Sequence, residues 1–140
     1  MAFTGNYSCN TLRAGLANGT INFATDTFYM ALYTNDASLS STTTAYDTVG
    51  ETTGGDYTAG GQVLTATVAS ETTSSGSITY ITFSQPTWNG SITARGALIY
   101  TPGDNGAVCV LDVGNDKTSS STFTVQMPAA TASSALLRIV

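Results

Sequence analysis

"ARGALIYTPGDNGAVCVLDV", residues 94–113, is the stretch whose reading decides the fold. Two apolar runs, Ala94 to Tyr100 and Ala107 to Val113, flank Pro102-Gly103-Asp104-Asn105-Gly106. Every residue of that link is a turn former: proline presets φ, glycine and asparagine accept the left-handed region, and aspartate bonds back to the backbone. The stretch therefore reads as an antiparallel hairpin whose turn pins its register. Asp112 is the one acid inside an apolar run, expected to face solvent or to pair across the hairpin with Arg95.

Outward from the hairpin the same period of two recurs. In "TFYMALYT" (27–34), Phe28, Met30 and Leu32 alternate with Tyr29, Ala31 and Tyr33. "GGQVLTATVAS" gives a strand from Val63 to Val68, and "SGSITYITFSQ" one from Ile78 to Phe83, each bounded by Ser/Thr/Gly turns. Pro86 breaks the ladder, and Asn89-Gly90 after Trp88 supplies a tight turn before "SITARGALIYT" returns. "GNDKTSSS" (114–121) reads as a loop, "TFTVQM" and "SALLRIV" as closing strands. One helix is expected, from Ser8 to Asn18, capped by Ser8 or Asn10, with Leu12 and Leu16 on one face and Asn18-Gly19 as its stop. About eight strands at hairpin spacing without a βαβ rhythm predict an all-β, antiparallel sandwich, jelly-roll or Greek-key like, with one short N-terminal helix. Residues 1–140 are expected to form a single domain with a long polar loop at about 34–61.

Composition supports this and removes several classes. Hydrophobic residues make up 41% and charged residues only 9%, the polarity being carried by threonine and serine, roughly 30% of the chain. Threonine fits a half-exposed pleated surface. A net charge of −5 with four cationic residues, Arg13, Arg95, Lys117 and Arg138, argues against nucleic acid as a partner. The start "MAFTGNYSCN" lacks a charged and then apolar leader, and no run approaches a membrane span, so folding in the cytosol and no membrane partner are expected. Cys9 and Cys109 lie far apart in sequence and read as two buried thiols.

The chain contains no histidine, which removes the commonest general base and transition-metal ligand. Lys117, the sole lysine, sits in a turn-like setting, and no two carboxylates share an apolar context of the kind a glycosidase needs. Neither "GDNG" nor "GNDK" offers enough oxygens for calcium, and Asp36, Asp47, Glu51 and Asp56 are irregularly spaced. The expectation is a protein that is not an enzyme, with no cofactor and no metal. Trp88, Tyr46, Tyr57 and Tyr100 could form a sugar platform, although Trp88 beside a tight turn reads better as a plug for the core. The polar segment, with few large aliphatic side chains, makes sense if another chain buries it, and Leu39, Tyr46, Asp47, Val49, Glu51 and Tyr57 are its candidate contacts. Leu137 and Ile139, in the β-rich end "ALLRIV", are candidates for pairing with a neighbouring sheet edge.

Taken in order, "FYMALYTNDASLSSTTTAYDTVGE" (28–51), "YTAGGQVL" (57–64), "TFSQPTWNGSITARGALIY" (82–100) and "VLDVGNDKTSSSTFTVQMP" (110–128) resemble the capsid cement (decoration) proteins of short-tailed bacteriophages, the Bordetella phage type in particular. The resemblance runs from about Phe28 to Val140 over strand-and-turn blocks and holds no catalytic motif. It implies a jelly-roll fold and a place on the outer capsid surface of the virion. The partner implied is a major capsid protein with the HK97-like fold, with assembly in the host cytoplasm. A small homo-oligomer is expected, a dimer over a trimer. The alternatives are a phage neck, tail or head-fibre component and, from another class, a carbohydrate-binding β-sandwich module.

Overall fold

The computed structural model describes residues 6–74, 76–128, 131 and 135–139. It is mostly β, with one helix among these residues. In chain order the elements are β1 (Tyr7–Ser8), α1 (Asn10–Asn18), β2 (Phe28–Tyr33), β3 (Gln62–Leu64), β4 (Ala66–Thr73) and β5 (Gly76–Phe83). There follow β6 (Thr87–Asn89), β7 (Thr93–Tyr100), β8 (Ala107–Thr118), β9 (Thr122–Thr124) and β10 (Leu137–Ile139). They form a five-stranded sheet in the order β1-β8-β7-β2-β3, a three-stranded sheet β10-β5-β4 and a two-stranded sheet β6-β9, with every pairing antiparallel.

The hairpin of residues 94–113 stands at the centre of the large sheet as β7 and β8. Its turn uses Gly103 at φ 106° and Asn105 at φ 60°, and Gly106 approaches so closely that a Cβ there would lie 1.9 Å from the Thr101 carbonyl oxygen. Strand β8 then runs on to Thr118, so "GNDK" is strand where a loop was expected. A break in the β7–β8 register between Ala94 and Gly96 absorbs extra residues, Gly114 turns at φ 93°, and the ladder resumes as Ala94 opposite Lys117 and Thr93 opposite Thr118. Arg95, at that irregularity, bonds Asp112 through Nη1 and Oδ1, both side chains being about 11–12% exposed. The expected cross-hairpin pair is present.

One core lies between the sheets. Phe28, Met30 and Leu32 from β2 and Ala97 and Ile99 from β7 meet Ile81 and Phe83 of the small sheet, with Trp88 and Phe123 closing one end. Phe28 carries the junction: its ring stacks on Phe23 at 5.0 Å and meets Phe83 edge-on at 5.8 Å. Trp88 is 3% exposed, so it is the plug and not a sugar platform.

Two expectations are corrected locally. The strand foreseen from Val63 to Val68 divides at Thr65, β3 pairing in the large sheet and β4 in the small one. Thr65 and Ser84 hold that corner, with Thr65 N–H donating to Ser84 Oγ and Ser84 N–H to the Thr65 carbonyl. The helix is capped by Cys9 without a side-chain bond, not by Ser8 or Asn10, and it buries Leu12 and Gly15 while leaving Leu16 40% exposed. Ile21 packs where a Gly15 Cβ would stand, which fixes the buried face one step away from Leu16. Cys9 and Cys109 are free and buried, and burial pushes the Cys9 thiol up to about 11 and raises that of Cys109 as well.

Candidate functional site

The alternation in β2 predicts one buried face, yet Ala31 and Tyr33 on the other face are fully buried too. What covers them is the polar segment of residues 34–61. It packs on the outer side of the large sheet and builds a second cluster from Ala37, Leu39, Leu98, Tyr100 and Val110, with Tyr29 and Tyr46 against it.

Glu51 is the hub of that packing. Its Oε1 accepts from the Tyr46 hydroxyl at 2.7 Å, and its Oε2 accepts from the Tyr57 hydroxyl at 2.6 Å and the Gly60 N–H at 2.7 Å. The Tyr57 oxygen in turn accepts from the backbone N–H of Leu32 at 2.9 Å. A strand amide is thus satisfied through a tyrosine by a carboxylate. Beside it, Thr52 N–H donates to the Leu32 carbonyl and Thr34 N–H to the Gly50 carbonyl, so residues 50–52 take the place of a strand along β2 where β3 has ended.

Further ties run the length of the segment. The Tyr33 hydroxyl donates to the Asp47 carbonyl, Asn10 N–H to that of Ser41, and Ala107 N–H to that of Thr44. Asp56 caps the other end, its Oδ1 accepting from Asn89 N–H. Gly61, at φ 82°, lies where a Cβ would come within 1.8 Å of the Met30 carbonyl oxygen. These contacts are short, mostly polar and specific, which is how a segment with few aliphatic side chains is held.

Tyr29, Tyr100 and Tyr46 stand in a row, with ring centroids 5.7 and 4.9 Å apart, and line an open cleft of about 490 Å³ with Gly60, Gly61 and Asp104. Tyr100 also donates to the Gly60 carbonyl at 2.7 Å. Burial pushes its hydroxyl up to about 12, with the charge of Glu51 adding to the effect. Burial likewise raises Tyr33, Tyr46 and Tyr57; the hydrogen bond to Glu51 adds to it at Tyr46 and Tyr57, and the charge of Glu51 adds to it at Tyr33.

The eight residues expected to meet a partner therefore divide. Leu39 is 8% exposed, and Tyr46, Glu51 and Tyr57 are engaged within the chain. Their burial comes from their own sheet, which corrects the expectation that another chain supplies it. Asp47 and Val49, the latter 69% exposed, project on a turn where Asp47 Oδ1 accepts from Val49 N–H. At the other end of the chain, Leu137 is half-buried and Ile139 is 51% exposed. Among the described residues no group of three acidic, cysteine or histidine side chains is placed to hold a metal, and no helix is long and apolar enough to cross a membrane.

Sequence reasoning missed two features: the Glu51 hub and the open hairpin of β4 and β5. For Glu51 the available signal was an acid within six residues of two tyrosines. The chain matches no protein-family model, and neither the comparison with curated proteins nor that with solved structures finds a match.

Proposed function

We propose that this chain is a non-enzymatic structural protein of a virion, a cement (decoration) protein that binds the outside of an icosahedral phage capsid and stabilises contacts between capsomers. The observation that carries this reading is the ordered series of blocks from Phe28 onward that resembles the cement proteins of short-tailed phages. The jelly-roll connectivity, the major capsid protein with the HK97-like fold as partner and the place on the virion's outer surface belong to the same proposal.

The geometry supports it in two ways. The polar segment is held by the chain's own sheet, so this domain presents a firm surface before any partner arrives. Four of its exposed apolar side chains, Val49, Val63, Val68 and Ile139, lie on a turn and on strands at sheet edges, where strand addition or shallow packing against a lattice is available. Individually weak contacts suffice, because an assembled lattice offers many at once.

The test is the stoichiometry of this chain in purified particles from its native source, measured by quantitative mass spectrometry against the most abundant shell protein. A ratio near one, or a simple fraction of it, is expected. A few copies per particle would move the protein to the neck, the tail or a head fibre. Absence from particles would favour the sugar-binding reading, for which the row Tyr29, Tyr100 and Tyr46 remains the site to titrate.

A further inference from the structure

We propose that the cleft beside the tyrosine row is a docking site for an arginine side chain of a partner protein, the guanidinium adding to the row and pairing with Asp104. The cleft, about 490 Å³ in volume, is lined by Tyr29, Tyr46 and Tyr100, by Gly60 and Gly61, and by Asp104 on the β7–β8 turn. The three rings are close to parallel, with interplanar angles of 24° and 16°. Tyr100, in the middle, is buried, whereas Tyr29 and Tyr46 at the ends are half-buried. A flat group extends such a row at its ends, on the ring faces that Tyr100 does not cover.

The polar groups of the cleft call for a ligand that donates. Four donors on its walls are already spent within the chain. The Tyr46 hydroxyl and the Gly60 N–H donate to Glu51, the Tyr100 hydroxyl to the Gly60 carbonyl, and the Gly61 N–H to the Thr58 carbonyl. The Asp104 carboxylate, exposed on the turn, has no hydrogen-bond or ion-pair partner among the described residues. Behind the wall stands a second carboxylate, Glu51, whose hydrogen bonds from Tyr46, Tyr57 and Gly60 all come from neutral donors. Besides burial, its charge raises the Tyr46 and Tyr100 hydroxyls, so its field reaches the rings that line the cleft. None of the four cationic side chains lines this cleft: Arg95 pairs with Asp112, Arg13 bonds Ser8 and Asn10, and Lys117 and Arg138 lie on β8 and β10. The cleft is therefore aromatic, negative and rich in acceptors.

A guanidinium matches all three properties. It is planar, always charged, weakly hydrated for a cation, and carries N–H donors with no acceptor. Its attraction to the faces of tyrosine rings adds to the pairing with a carboxylate. An ammonium satisfies the charge, but it is compact and strongly hydrated and gains less from flat rings. A neutral sugar fits less well, because its hydroxyls need donors as well as acceptors and the walls have spent four of theirs. The turn that carries Asp104 is firm: Gly103 and Asn105 take positive φ, and Gly106 packs against the Thr101 carbonyl. The carboxylate is thus presented before a ligand arrives, which lowers the cost of binding. This site concerns the purified chain and stands or falls independently of the virion reading.

The experiment is an amide NMR titration of the isotope-labelled chain with the peptide acetyl-Gly-Arg-Gly-amide. The same peptide with lysine, or with citrulline as the uncharged isostere, in place of arginine serves for comparison. The arginine peptide is expected to shift the Gly60, Gly61 and Asp104 amides with a Kd in the millimolar range or tighter. The lysine peptide should bind about threefold more weakly and the citrulline peptide about tenfold more weakly. Asp104→Asn should weaken the arginine peptide about fivefold and leave the citrulline peptide unchanged, and Tyr29→Leu should weaken the arginine peptide as well. Lysine or citrulline binding as tightly as arginine, arginine binding indifferent to Asp104→Asn, or no shift at these amides would overturn the proposal. So would shifts produced there by maltose and not by the arginine peptide. Should Tyr29→Leu fail to fold, Asp104→Asn decides, because it alters only an exposed turn residue.

Discussion

Two regions of similar polarity behave in opposite ways. Residues 34–61 contain almost no regular structure, yet their carboxylate, hydroxyls and backbone groups are bound into the outer face of the large sheet. The β4–β5 hairpin is regular throughout, yet the outer part of β4 is exposed on both faces. Regular secondary structure does not by itself place a segment in the body of a fold. What decides is whether its side chains and backbone reach partners outside the segment. The loop does so through Glu51, Tyr33 and Tyr57; the hairpin, beyond the β10 pairing that ends at Thr79, bonds mainly to itself.

The sharpest way to break this contrast is a pair of glycine substitutions. Gly61→Ala drives a Cβ to 1.8 Å from the Met30 carbonyl oxygen, with φ at 82°, and should cost more than about 4 kcal/mol in urea unfolding. Gly76→Ala at the start of β5 meets nothing within 4 Å and bears only its strained φ of 126°, about 2 kcal/mol. Equal costs would mean that the loop yields as readily as the hairpin. The next effect is at the hub. Glu51→Ala leaves two tyrosine hydroxyls and the Gly60 N–H without their acceptor and should cost about 3 kcal/mol. Glu51→Gln, which keeps a carbonyl acceptor, should lose about half of that. A loss under about 0.5 kcal/mol for Glu51→Ala would place the anchoring elsewhere.

Alkali tests the same anchoring without mutation. The folded-state values of Tyr33, Tyr46, Tyr57 and Tyr100 are raised above the ordinary 10, that of Tyr100 to about 12. Below pH 10 both folded and unfolded chains keep these protons, and this contribution is fully present. Between pH 10 and about 12 the unfolded chain releases protons that the folded chain retains, so stability falls as pH rises. Tyrosinate absorbance should therefore develop late and cooperatively with unfolding for these four. Gradual ionisation of all tyrosines near pH 10 with the fold intact would show that the segment opens freely to solvent.

Local chemistry was readable from the sequence; convergence from a distance was not. The hairpin at 94–113, the Arg95–Asp112 pair and the burial of Trp88 follow from alternation, turn residues and one proline, all within a few positions of each other. The division at Thr65 has no glycine or proline at the break; it depends on Ser84, nineteen residues on. The extension of β8 through Gly114, Asn115 and Asp116 overrides three turn-forming residue types: they bulge out of the register between Asp112 and Lys117, and the ladder resumes where Lys117 and Thr118 meet Ala94 and Thr93 at the start of β7. Glu51 reads as one more loop acid until Leu32, Tyr46, Tyr57 and Gly60 are brought around it. Hence the segment that looked in need of a partner is self-sufficient, and the strand that looked ordinary is the one left open.

The smallest expected effect bears on that open strand. Val68→Thr removes an apolar side chain that is 49% exposed and keeps the branched Cβ that strands favour, so the stability of the isolated chain should change by less than about 0.5 kcal/mol. Amide exchange on the same protein gives the complementary reading. Thr34 and Thr52, bonded to the Gly50 and Leu32 carbonyls, should exchange as slowly as β2, although neither lies in a strand. Alternate amides of β4 point away from β5 along the open edge and should exchange rapidly in dilute solution. Protection of these β4 amides in dilute solution to the level of Thr34 and Thr52 would mean that the edge is covered within the chain, and the contrast between the two regions would fail.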